Sequence, residues 1–125
     1  RRFWGFFEEK FNTPAKFFKE FYVANYCPLV FMEEGGKNVT PDKLIRSERE
    51  ALCKICGEHL RQLVLAMEPE WVIGIGIFAM KRAQIALADL DIKTGTILHP
   101  SPASPKANKG WNGFVEKQLA EMKLL

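Results

Sequence analysis

The stretch WVIGIGIFAMKRAQIALADLDIKTGTILH, residues 71–99, decides the fold. It opens on Trp71-Val72-Ile73-Gly74-Ile75-Gly76, a run without a charged residue. A short apolar run bounded by glycine predicts a strand covered on both faces, as in a parallel sheet. Phe78 to Leu90 follows with the alanine-rich spacing of a helix, and Thr96-Ile97-Leu98-His99 reads as the next strand. Strand, helix, strand in that order is the parallel crossover unit, and such crossovers are right-handed almost without exception. The expected fold class is α/β, a parallel sheet flanked by helices.

Upstream of this unit the pattern continues. Ser47-x-x-Glu50 has the form of a capping box in front of a long helix whose apolar stripe is Leu52, Ile55, Cys56, Leu60, Leu63, Val64 and Met67, with Pro69 as its stop. Phe21-Tyr22-Val23-Ala24-Asn25 is rich in β-formers and predicts a strand. Leu29 to Met32 is extended, Glu33 to Asn38 with Gly35-Gly36 is a loop, and Thr40-Pro41 starts a helical turn. Phe3, Phe6, Phe7 and Phe11 recur at helical spacing, and Thr13-Pro14 restarts the helix as N-cap and first helical residue. Downstream, Pro100 to Lys109 is a proline-studded loop and Trp111 to Leu124 a closing amphipathic helix.

With 125 residues, 47% of them hydrophobic, the chain has the length of one domain with a core. A net charge of +3 excludes a histone-like composition but leaves room for a local basic patch. Three cysteines, an odd number, argue against a disulfide-stapled secreted module. There is no run of 18 apolar residues, so no membrane span is expected, and no signal segment opens the chain. The chain begins Arg1-Arg2-Phe3-Trp4 without a methionine, as if inside an ordered region; residues 1–125 are expected to form a single, partial domain.

In open α/β sheets, chemistry gathers at the carboxyl ends of the strands, here Asn25, Gly74-Ile75-Gly76 and His99. Gly74 and Gly76 fit a dinucleotide-binding glycine pattern, but no acidic residue ends the following strand, so close helix–strand packing is the preferred reading. Cys53-x-x-Cys56-x-x-His59 places its side chains on successive turns of one helix and lacks the fourth ligand of a closed zinc site, so it reads as a buried stripe with no metal. Gly35, Gly36, Lys37 and Asn38, leading through Thr40 towards Lys43, form a glycine-rich basic turn before a helix, a place suited to a phosphate. His99 ends a strand beside a loop stiffened by Pro100, Pro102 and Pro105 and armed with Lys106, Asn108 and Lys109.

The thirteen residues His99 to Trp111, H-P-S-P-x-x-P-x-A-N-K-G-W, resemble the second active-site motif of the single-strand-selective monofunctional uracil-DNA glycosylases. R-R-F-W-G-F-F at 1–7, F-Y-V-A-N-Y-C-P-L-V-F at 21–31 and W-V-I-G-I-G at 71–76 resemble the same family, part of the uracil-DNA glycosylase superfamily. The resemblance implies a monofunctional base-excision enzyme that flips uracil, or an oxidised 5-methyl derivative such as 5-hydroxymethyluracil, out of single- or double-stranded DNA and hydrolyses its N-glycosidic bond. It implies DNA as partner, no membrane, no metal or other cofactor, a monomer, and the nucleus. Asn25 matches the asparagine that reads the base, and His99 the histidine that stabilises the departing base. The segment Ser101, Pro102, Ala103, Lys106, Asn108 and Lys109 matches the loop that wedges into DNA, although Ala103 stands where a larger basic residue is expected.

One part of the pattern is not found. The family's first motif is a Gly/Pro-rich loop with an asparagine that positions the attacking water, and Asn12, Asn38, Asn108 and Asn112 all lie elsewhere. The resemblance implies that the strand bearing that motif runs between residues 21–25 and 71–76. The expectation is a C-terminal portion of a glycosylase without its central strand and with little activity alone. The alternative is a catalytically inactive DNA-binding remnant or truncated isoform.

Overall fold

The computed structural model describes all residues from Arg1 to Leu125. Its elements are α1 (Arg2–Phe11), α2 (Pro14–Glu20), β1 (Phe31–Met32), β2 (Asn38–Val39), a 3-10 turn (Pro41–Lys43), α3 (Arg46–Met67), β3 (Trp71–Ile75), α4 (Ile77–Ala86), β4 (Lys93–Ile97), a second 3-10 turn (Ala107–Lys109) and α5 (Trp111–Glu121). No helix is long and apolar enough to cross a membrane.

The strand–helix–strand unit forms as the sequence predicts. β3 and β4 pair in parallel, from Trp71 opposite Lys93 to Ile75 opposite Ile97, with α4 as the crossover. Side chains alternate between the two faces of the sheet. Ile73, Ile75 and Ile97 face a core built from Phe6, Phe7, Phe17, Trp111, Val115 and Leu119, contributed by α1, α2 and α5. Val72 faces the opposite core, where Val64 of α3 meets Ala83 and Leu87. Gly74 is buried, and a Cβ there would collide with the Met80 backbone, so its lack of a side chain lets α4 lie directly on the strand. The packing reading of this glycine pair is the one the structure bears out at Gly74.

The aromatic N-terminal block is a continuous layer. Phe7 and Phe17 lie with ring centroids 4.8 Å apart, and Phe17 stacks on Phe21 at 5.2 Å. Thr13 caps α2 by accepting the Lys16 amide, with Pro14 as the first helical residue.

Several expected elements differ. Residues 21–25 form no strand: the backbone is extended at Phe21, but no neighbouring strand completes a ladder. Residues 31–39 form a short antiparallel hairpin around Gly35-Gly36, with Phe31 opposite Val39. Helix α3 starts at Arg46 with Ile45 at the cap and no side-chain cap bond, so Ser47 lies inside the helix and the capping box does not form. Ile55, placed by period on the apolar stripe, is 69% exposed. Helix α4 ends at Ala86, four residues short of Leu90, and β4 ends at Ile97, leaving His99 beyond the strand.

Candidate functional site

The carboxyl end of β3 opens into a cleft of about 640 Å³ that both Asn25 and His99 line. Gly74, Ile75 and Phe78 form its sheet side, Tyr26 and Cys27 extend from Asn25, and Pro41 of the first 3-10 turn reaches its rim. Residues far apart in sequence thus converge on one mostly apolar cavity, and Asn25 and His99, both exposed, are among its few polar lining side chains, with Arg1, Tyr26 and His59. Concave, mostly apolar sites with a few convergent polar groups are the common form of small-ligand sites.

His99 is oriented by its own loop. The Ser101 amide donates to His99 Nδ1 at 3.1 Å, so in the neutral ring the proton resides on Nε2. The backbone before His99 is pinned twice: Trp111 Nε1 donates to the Leu98 carbonyl at 2.7 Å, and the Leu98 amide donates to Gln118 Oε1 at 2.9 Å. Beneath it lies Gly76, whose φ is 93° and whose absent Cβ would stand 3.1 Å from His99 Cβ and 3.3 Å from Cδ2. Gly76 is therefore a floor for the imidazole, a role the glycine spacing alone did not reveal.

Asn25 is positioned by its neighbour. The Tyr26 hydroxyl donates to the Cys53 carbonyl of α3 at 2.9 Å, and its ring meets Phe78 edge-on at 6.1 Å. Burial, reinforced by the Cys53 thiol, pushes the Tyr26 hydroxyl up to about 12. Cys53 and Cys56 are buried and His59 is exposed at the cleft. Cys56 is pushed up to about 11, first by burial and then by its hydrogen bond with the Cys27 thiol, which raises it because a thiolate would lose that bond. The chain has no group of three or more His, Cys, Asp or Glu side chains arranged to hold a metal.

The loop from Ser101 to Lys109 is folded on itself. Ser101 Oγ accepts the Ala103 amide, Ser104 Oγ accepts the Ala107 amide, and Asn108 Nδ2 donates to the Pro102 carbonyl at 2.7 Å. Buried Ala107 anchors the loop in the core with Trp111. Lys106 extends over the Phe114 ring at 5.0 Å, while Lys109 and Ala103 are exposed. Gly35, Gly36, Lys37, Asn38, Thr40 and Lys43 are all exposed, on the hairpin and the turn that follows it, and no ion pair holds Lys37 or Lys43. Sequence reasoning missed Tyr26 and Arg2 as structural partners of the site; both lie in the quoted motifs, but neither motif tells which contacts they make.

The fold and cleft define an α/β domain with its polar groups at the strand ends, the architecture of many enzymes of this class. Comparison with known proteins is specific. The chain is 40% identical over 126 aligned positions to the single-strand selective monofunctional uracil DNA glycosylase of Bos taurus, and 42% identical to that of Rattus norvegicus, in each case over 99% of its own length. The Mus musculus glycosylase of the same name is 41% identical. No family model matches the chain. These alignments show the relationship to the single-strand-selective monofunctional uracil-DNA glycosylases along the whole chain, which spans 46% of the length of the cattle protein.

Proposed function

We propose that these residues are part of a DNA repair glycosylase, a hydrolase that removes uracil, and oxidised 5-methyl derivatives such as 5-hydroxymethyluracil, from single- and double-stranded DNA. The observation that carries this reading is the shared cleft. Asn25 and His99 line it together, and the Ser101 amide on His99 Nδ1 leaves Nε2–H as the donor. A base inside a duplex is out of reach, so it is flipped into such a cavity. The Asn25 amide accepts from uracil N3–H and donates to O4, a pattern cytosine does not offer. As the glycosidic bond breaks, negative charge grows on the departing base, and Nε2–H of His99 donates to O2. A donor aimed at charge that develops only in the transition state lowers the barrier without tightening ground-state binding.

Ser101, Pro102, Ala103, Lys106, Asn108 and Lys109 are the proposed DNA contacts on one rim of the cleft. Gly35 to Asn38, Thr40 and Lys43 are proposed contacts on the hairpin side. Asn108 offers less than its sequence position suggests, since its carbonyl oxygen accepts from Arg2 and its amide donates to Pro102. The protein is proposed to act as a monomer in the nucleus.

The 125 residues are proposed to lack a central strand and the water-positioning asparagine it carries. A second cleft, of about 620 Å³, shares Phe21, Tyr22, Leu63, Val72 and Ile73 with the first, so a slot follows the line between residues 21–24 and β3. On that side β3 has no hydrogen-bonded neighbour. The same slot favours the second reading, an inactive DNA-binding remnant.

Single-turnover uracil release from oligonucleotides distinguishes the two. The gene product at the full length of its relatives is expected to release uracil, and His99→Ala to slow it roughly 100- to 1,000-fold while DNA affinity changes little. An unchanged rate overturns the role of His99. The 125 residues alone are expected to release little or none; release that His99→Ala abolishes would show that the site is already complete.

A further inference from the structure

We propose that Arg2 is a positioning residue for His99, clamping the loop behind the imidazole from across the fold; its effect on catalysis rests on the glycosylase reading above. Arg2 Nη1 donates to the Pro100 carbonyl at 3.0 Å and Nη2 to Asn108 Oδ1 at 3.2 Å. Arg2 thereby joins the residue directly after His99 to the far end of the loop, 98 and 106 positions away in sequence. Asn108 passes the tie on to Pro102, so one guanidinium braces the loop at both ends.

The loop's composition explains the need. Pro100, Pro102 and Pro105 have carbonyls but no amide hydrogens, so the loop is rich in acceptors and poor in donors; its backbone bonds tie Ser101 to Ser104, Ser104 to Asn108 and Lys106 to Lys109, but none reaches the Pro100 carbonyl. An external donor with two divergent N–H groups fills the gap, and a guanidinium is the side chain with that geometry. Arg2 is the only side chain outside the loop that hydrogen-bonds into residues 99–109. It is also the first residue of α1, where the helix dipole disfavours a cation, so its placement is better explained by the loop than by its own helix.

The test uses the full-length gene product with Arg2→Ala and Arg2→Lys, each checked for folding by circular dichroism. Two readouts are taken: the nitrogen NMR signals of the His99 ring, and the single-turnover release rate beside DNA affinity. Arg2→Ala is expected to shift or broaden the His99 signals and to slow release about tenfold, with a smaller change in DNA affinity. Arg2→Lys keeps the charge but not the fork and is expected to restore less than half of the lost rate; it carries the test if Arg2→Ala does not fold. Unchanged His99 signals and unchanged release in folded variants overturn the clamp. If the parent protein releases no uracil, altered His99 signals still support the clamp while the glycosylase reading fails.

Discussion

At the scale of single residues, the site depends on neighbours whose own chemistry is silent. Gly76 matters because a methyl group would press on His99, and Tyr26 because it ties the segment bearing Asn25 to α3. The raised Tyr26 hydroxyl links stability to pH with a definite sign. Its folded value, about 12, lies above the ordinary tyrosine value, so folding favours the protonated phenol. That contribution is fully present below the unfolded value near pH ~10 and is lost as the pH climbs through the folded value. Tyr26→Phe is expected to cost about 1 kcal/mol at neutral pH through the missing hydrogen bond. It should also flatten the loss of stability on the alkaline side. Urea denaturation at pH values from neutral to alkaline checks both, and an alkaline limb as steep as that of the parent would refute the assignment to Tyr26.

At the scale of elements, burial separates residues that period alone treats alike. Leu119 of α5 is 1% exposed in the aromatic core, whereas Ile55 of α3 is 69% exposed although it lies on the predicted stripe. Leu119→Ala is expected to destabilise by roughly 2–5 kcal/mol, as for other large-to-small core changes. Ile55→Ala should stay within about 0.5 kcal/mol. Denaturant midpoints of the two variants test the ordering, and equal losses would mean that α3 packs differently from the arrangement described. Helix α3 itself is secured at its surface by Arg61, whose Nη2 bonds Asp89 Oδ2 at 2.8 Å and whose guanidinium holds that carboxyl below the usual range.

At the scale of the whole molecule, the two-stranded sheet and its neighbouring clefts are the dominant feature. Two cores cover the faces of β3 and β4, but the edge of β3 towards residues 21–24 is bare. Tyr22 beside it is 63% exposed. Unpaired strand edges and apolar slots are what partner strands and hydrophobic probes bind. The 125 residues are therefore expected to enhance the fluorescence of an anilinonaphthalene sulfonate dye strongly, and the full-length gene product to do so weakly. Equal enhancement by both would show that the slot stays open and that no further strand fills it.

By itself the sequence determined the elements whose signals are local. The strand–helix–strand unit at 71–97 followed from an apolar run, a helical period and a second β-forming run; the start of α2 followed from Thr13-Pro14; the relationship to the glycosylases was legible in the thirteen residues from His99 to Trp111. Only the tertiary structure decided the rest. Residues 21–25 carry β-forming side chains, yet a strand exists only when another backbone supplies its hydrogen bonds, and here none lies alongside. Ser47 and Glu50 match a capping pattern, but the helix begins at Arg46, two residues before the Glu48 that this cap would make its first. The convergence of Asn25 and His99 on one cleft, the seat of His99 on Gly76, and the reach of Arg2 across 98 positions to Pro100 all arise from packing. Period and propensity describe a residue within its own element; which distant residue it meets is settled by how the elements bury their apolar faces together.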